Sequence, residues 1–285
     1  MRGPGPVGYL PIATTAMALA FAIRLFVRYR ERGGTHHVWW IVGMLTYAAG
    51  TMTESLTTLI GWHEPIFRAW YITGALLGGA PLAQGTVYLL MKRRIANQLT
   101  VAVATLVIVA SVCVILSPIN YAAVEPYRLT GRVLEWHWVR RFSPFINLYA
   151  VAFLTGGAIF SAVRYRRRRE TYHRYVGNVL IAIGALLPGI GGTFTRFGHT
   201  EVLYVTELIG LLFIYAGFCF NTAPATAAAP SRCRARGAES RLRSPPSSNH
   251  SDAIYSRKGS SHYRARVIRD RLMANDVPDT NEEGL

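Results

Sequence analysis

Residues 7–27, VGYLPIATTAMALAFAIRLFV, followed by RYRER at 28–32, decide the fold class of this chain. Arg2, an apolar run and Ala18-Leu19-Ala20 have the outline of a cleavable signal peptide. The run nevertheless continues unbroken from Val7 to Val27, close to the ~20 residues that a bilayer-crossing helix needs. Arg24, Arg28, Arg30 and Arg32 then stop it, so the segment reads as a retained first helix.

Six further runs of similar length follow, approximately Val38–Ile60, Ala69–Met91, Leu99–Leu116, Phe145–Val163, Tyr175–Phe194 and Val202–Phe220. The expected fold is an all-α integral membrane protein with seven transmembrane helices in residues 1–220 and a basic, disordered cytoplasmic tail in 221–285. Composition agrees: 51% of residues are hydrophobic, only 16% are charged, and the mean hydropathy is +0.22. The net charge of +16 does not point to nucleic acid, because the basic residues sit at the ends of apolar runs. One side collects Arg24, Arg28, Arg30, Arg32, Lys92, Arg93, Arg94, Arg164, Arg166, Arg167, Arg168, Arg169 and Arg174. The other holds Arg2, Arg68, Arg128, Arg132, Arg140, Arg141 and Arg196. This bias predicts a plasma or inner membrane protein with its N-terminus outside and its C-terminus cytoplasmic.

Ser117–Phe142 is then a long outer connection. Its Trp136-His137-Trp138, beside Arg140 and Arg141, suits a segment lying at headgroup level, with a substrate-gating loop as the alternative. From Asn221 the chain turns to Ala, Pro, Ser and Arg, which is a disordered composition. Within it, Ser261–Asn275 could form a basic helix on anionic lipid of the inner leaflet. Asn249-His250-Ser251 fits the glycosylation pattern but falls on the wrong side. Cys113 and Cys219 lie in apolar runs and Cys233 in the tail, with neither disulfide nor metal spacing.

The chain also matches itself at an offset of 136 residues. Between 22–37 and 158–173, nine of sixteen positions are identical, including Arg28/Arg164, Tyr29/Tyr165, Thr35/Thr171 and His37/His173. The same offset pairs Thr57/Thr193, His63/His199, Gly74/Gly210, Leu76/Leu212 and Ala80/Ala216. It maps the first three helices (about 7–91) onto the last three (143–220) in the same orientation, leaving 99–116 as connector. Such a 3+1+3 parallel repeat implies a pseudo-twofold axis along the membrane normal and a central cavity between the halves. The layout resembles that of SWEET-type sugar transporters and PQ-loop proteins. Their Pro-Gln dipeptide is missing, since Pro11 precedes Ile12 and Pro144 precedes Phe145. A retinal protein is excluded, because the only lysines, Lys92 and Lys258, fall outside the spans. No histidine lies mid-span, which disfavours an intramembrane haem, and no cofactor is expected.

Two acids do lie within spans, Glu54 and Glu207, and an intramembrane carboxylate is a functional candidate by default. Tyr47, Thr51, Glu54 and Thr58 are spaced 4, 3 and 4 apart and so share one helix face. Tyr204 precedes Glu207 by three, and Gln84 follows Gly79-Ala80-Pro81. Two carboxylates close together in low dielectric resist ionising together, leaving a proton to carry. The plainer alternative is an acid bonded to a neighbouring helix, or paired with Arg68 or Arg196. Gly74 and Gly78 form a GxxxG, and Gly177, Gly184 and Gly191 recur every seven residues with Pro188 nearby. Close helix packing explains most of this, and a broken helix is the sharper alternative. At the outer rim, His63 with Glu64, His137 with Glu135, and His199 with Glu201 could converge on one metal.

The favoured reading is a small-solute transporter with its site between the halves, proton-coupled through Glu54 and Glu207. A membrane sensor signalling through basic loops and tail comes second. A metal-dependent membrane enzyme at the outer rim comes third. No nucleophile stands at a defined spacing from a base, so the sequence leans away from an enzyme.

Overall fold

The computed structural model describes residues 5–166 and 171–222, and 86% of these are helical, with no strand among them. The tail from residue 223, with Cys233, Asn249 and Ser261–Asn275, lies outside the described residues, as do Arg2 and Arg167, Arg168 and Arg169.

A 3₁₀ turn, Pro6–Tyr9, leads into α1 (Leu10–Arg32), where Pro11 sits in the first turn. There its missing N–H removes a donor that had no partner anyway. Arg30 and Arg32 occupy the last turn, and Gly33 (φ 65°) ends the helix with its N–H on the Tyr29 carbonyl. α2 (Thr35–Ile60) follows directly. The third expected span is broken into α3 (Glu64–Trp70), a π-helical segment Tyr71–Leu76, a turn at 77–79 and α4 (Ala80–Leu90). α5 (Arg93–Leu116) is uninterrupted. α6 (Phe142–Ala150) passes through a second π-helical segment, Val151–Thr155, into α7 (Gly156–Tyr165). α8 (Tyr172–Arg196) runs straight through Pro188, and α9 (Thr200–Thr222) completes the set.

Among the described residues, five stretches are long and apolar enough to cross a membrane: Pro6–Arg32, Arg93–Leu116, His137–Tyr165, Tyr172–Thr195 and Thr200–Thr222. The two other expected spans differ for identifiable reasons. The third has no continuous helix of sufficient length. α2 has the length but is polar over its second half, where Thr51, Thr53, Glu54, Ser55, Thr57 and Thr58 are all buried. Most of these hydroxyls donate to carbonyls three or four residues back, such as Ser55 to Thr51 at 2.8 Å and Thr57 to Thr53 at 2.9 Å. That habit keeps them satisfied inside a helix without a partner elsewhere.

The helices close into a ring. α1 packs on α2, α2 on α4 and its preceding π segment, α4 on α6 and the second π segment, α7 on α8, α8 on α9, and α9 back on α1. α5 stands outside, against α4, the first π segment and α6, with Val101, Ile108, Ile115 and Leu116 all turned outward. Residues 117–141 form a folded cap over one end of the ring. Two isolated bridges, Ile119 to Leu134 and Glu125 to Arg128, shape it. Leu129, Val133, Leu134 and Val139 are buried with Phe67, Trp70 and Tyr71 in one apolar cluster. Trp136 and Trp138 do stay exposed, stacked 5.9 Å apart.

Two arginines pin this cap. Arg68 donates to the carbonyls of Val114, Ile115 (2.7 Å) and Ser117 (3.0 Å), covering the acceptors left unpaired at the end of α5. Arg128 bonds Glu125 (2.9 Å), Thr200 (2.8 Å) and the Gly198 carbonyl, joining the cap to the turn before α9. At the opposite end of the ring a second apolar cluster gathers Phe21, Leu25, Met44, Ala48, Leu82 and Leu211.

Candidate functional site

A cavity of about 620 Å³ occupies the centre of the ring, lined from α2, α3 and its π segment, the cap, α6, α8 and α9. That volume falls in the range of small-molecule sites. Its mouth is at the cap, where Arg132, His137, Arg140 and Arg141 reach it. Leu82, Leu154 and Ile214 line it and also belong to the apolar cluster at the far end, so hydrophobic packing closes the bottom.

Glu54 and Glu207 both line this cavity. Glu54 lies six residues from the cap end of α2 and Glu207 seven residues into α9, which puts each about 10 Å inside. The two carboxyl groups stand close enough to interact directly. The Trp70 indole N–H donates to Glu54 Oε1 at 2.9 Å. Glu54 Oε2 and Glu207 Oε2 are buried and receive no donor from any other described group. Ionised carboxylates are acceptors only, so the two can hydrogen-bond each other only when one carries a proton. Just below, the Tyr47 hydroxyl donates to the Glu207 backbone carbonyl at 3.1 Å, tying α2 to α9. Thr51 accepts from Thr15 at 2.8 Å.

The expected face of α2 is thus present in Tyr47, Thr51 and Glu54, while Thr58 is not part of the cavity. Its hydroxyl bonds the Gly8 carbonyl at 2.9 Å and fastens the N-terminal turn. Tyr204 is buried without being one of the lining residues. Gln84 is displaced altogether. It donates to the Ala96 carbonyl (3.0 Å) and Thr100 (2.6 Å), and accepts from Tyr149, bridging α4 to α5 and α6 beside a separate 170 Å³ pocket. Arg68 is engaged by Glu64 at 2.8 Å and does not neutralise either buried acid, and the Arg196 side chain lies outside the described residues.

The rim histidines do not converge. Among the described residues no group of three His, Cys, Asp or Glu side chains could hold a metal. His137 Nδ1 faces its own loop at the Glu135 carbonyl, 2.6 Å away. Glu64 accepts from Tyr121 (2.6 Å) and Arg68, and these two hold its carboxyl below the ordinary range.

Trp70, Tyr71, Arg140 and Asn147 are cavity residues that sequence reasoning missed. One signal was available for Tyr71, which stands 136 residues before Glu207. The break in the third span explains the others. Gly78 has no room for a side chain, since a Cβ there would sit 2.5 Å from the Gly74 carbonyl oxygen. Gly79 lets Ala150 of α6 approach, and Ser143 (3.1 Å) and Asn147 (3.4 Å) then donate to the Ala75 carbonyl.

Comparison with protein-family models, curated proteins and solved structures finds no match. The layout resemblance to SWEET-type and PQ-loop transporters therefore adds nothing further. What fold and site define is a helical protein whose several apolar helices are compatible with a multi-pass membrane protein.

Proposed function

We propose that this chain is a membrane carrier for a small solute, with its site in the central cavity and a proton carried by Glu54 and Glu207. The supporting observation is a cavity of about 620 Å³ lined by two neighbouring intramembrane acids at one part and by arginines of the cap at another. The third reading, a metal enzyme at the rim, lacks its ligand cluster among the described residues.

The proposal includes seven crossings, with the cap outside and α1 ending inside, as the arginine distribution indicates. It also includes descent from two three-helix halves. Adding 136 to Thr35, Ile60 and Glu64 gives 171, 196 and 200, and α8 and α9 cover Tyr172–Arg196 and Thr200–Thr222. The neighbour order of the ring reads the same when the halves are exchanged. His63 and His199 each stand directly before a helix, α3 and α9. The correspondence slips along α8, however. There Ala185, Pro188, Gly189 and Gly192 face the cavity, two residues out of step with Tyr47, Gly50, Thr51 and Glu54 of α2.

The test is solute-driven proton movement in proteoliposomes. Glu54→Gln and Glu207→Gln should each abolish pH-dependent flux while the protein still purifies as a folded species. Folded variants with unchanged, pH-dependent flux would remove the two acids from the mechanism.

A further inference from the structure

We infer that the cavity is built for a zwitterion: a small amino-carboxylate with its ammonium group on Glu54 and Glu207 and its carboxylate against Arg140 and Arg141. This rests on the carrier reading and adds the chemical class of its solute.

The two ends of the cavity carry opposite charge. Arg140 is half-buried and Arg141 exposed, and both line the mouth. Neither enters an ion pair among the described residues, where the pairs are Glu64 with Arg68 and Glu125 with Arg128. Both belong to the 3₁₀ turn His137–Arg141 that leads into α6. The first turn of α6 also lines the cavity through Ser143 and Pro144, so its positive end adds to the same field. Guanidinium groups suit a carboxylate because they can present two parallel N–H donors to it.

The inner end has the opposite need. Glu54 is only 2% exposed, and it lines this end of the cavity together with Glu207. Two carboxyl groups at one end of a cavity offer chiefly acceptor oxygens, which suit a group rich in N–H, and an ammonium supplies three. The wall between is mixed, with Trp70, Tyr71, Leu82 and Leu203 leaving apolar surface for a side chain.

A solute with one charge fits poorly. A simple amine must pass the arginines at the mouth, and a simple acid must meet two carboxyls at the inner end. Each leaves one set of buried or half-buried charges without a partner, and unpaired buried charge is the costly case. A zwitterion satisfies both ends at once.

The experiment measures binding by calorimetry to the full chain in detergent, using L-alanine, L-leucine, L-glutamine and L-phenylalanine. Each is compared with the acid lacking its amino group and the amine lacking its carboxyl group. At least one amino acid should bind, with both truncated counterparts weaker by about tenfold or more. Arg141→Gln, at an exposed position where folding is not at stake, should weaken the amino acid by about tenfold and leave the amine unchanged. The inference is overturned if no amino acid binds, if either truncated compound matches its parent, or if Arg141→Gln changes nothing. Flux into proteoliposomes separates the two readings. Amino-acid binding without flux would retire the carrier and leave the site, whereas flux of an uncharged sugar without amino-acid binding would do the reverse.

Discussion

Glu54 shows how a costly residue is held within an apolar bundle. One oxygen takes the Trp70 N–H, which offsets part of the burial penalty, and Glu207 lines the same cavity beside it. Histidine 37 meets the same problem at the opposite end of α2. Its ring is buried, with Nδ1 2.7 Å from the Gly33 carbonyl. Burial holds its pKa below the ordinary value, the Gly33 bond opposes this, and Arg28 and Arg32 reinforce the lowering. The neighbouring His36, 4.1 Å away between ring centres, is lowered by burial and by His37. A histidine lowered in this way binds its proton more readily when unfolded. Its stabilising share is therefore complete above an unfolded pKa of about 6.5 and is lost as pH falls from there toward the folded value. Thermal unfolding of the purified protein should shift downward on acidification through that window, and His37→Gln should flatten the shift. An unchanged profile in the variant would assign the effect elsewhere. At this scale the sequence was legible where contacts are local. Tyr47, Thr51 and Glu54 follow from helical spacing alone. Trp70 and Gln84 could not be placed, because their partners come from other helices through a break that no periodicity records.

Between α8 and α9 the backbones approach closely at glycine. A Cβ on Gly184 would lie 2.5 Å from the Gly210 carbonyl oxygen and 2.9 Å from the Ile214 nitrogen, and one on Gly210 would lie 2.7 Å from the Gly184 oxygen. Backbone atoms cannot give way as a flexible side chain can. Gly184→Ala should therefore destabilise by about 1–3 kcal/mol through overpacking. Gly189, five residues on in the same helix, has nothing within 4 Å of a built Cβ. Gly189→Ala should be neutral, or stabilising by roughly 0.5–1 kcal/mol through helix propensity. Comparing the two unfolding temperatures checks this, and equal loss at both positions would count against a backbone seam. The seven-residue glycine spacing made this seam readable in advance, and α8 stays unbroken through Pro188. The third span used its glycines differently. Gly78 and Gly79 lie in the turn that follows the π segment, where α6 donates to the Ala75 carbonyl.

For the molecule as a whole, the orientation is the proposal most directly open to measurement. A reporter fused after residue 221 should show cytoplasmic activity, and one inserted near Gly131 in the cap should behave as external. A reversed pattern would turn the cavity mouth to the other side of the membrane. The helices of the ring were partly foreseen, because an apolar run announces a helix. The cap was not foreseen, since its core of Leu129, Val133, Leu134 and Val139 is scattered among polar residues with no regular period. The peripheral position of α5 bears on parity. A unit of three crossings begins on one side of a membrane and ends on the other. Two such units can be spliced in the same orientation only if an odd number of crossings separates them, and one is the fewest. α5 meets that requirement from the edge of the ring: from Leu99 on it is mostly Val, Ala, Ile and Leu, and it packs against α4, the first π segment and α6. In the proposed lineage the ring would close equally well from two unlinked three-helix chains. α5 would then be the scar of a gene fusion, and its outward positions, Val101, Ile108, Ile115 and Leu116, should exchange freely for other apolar residues.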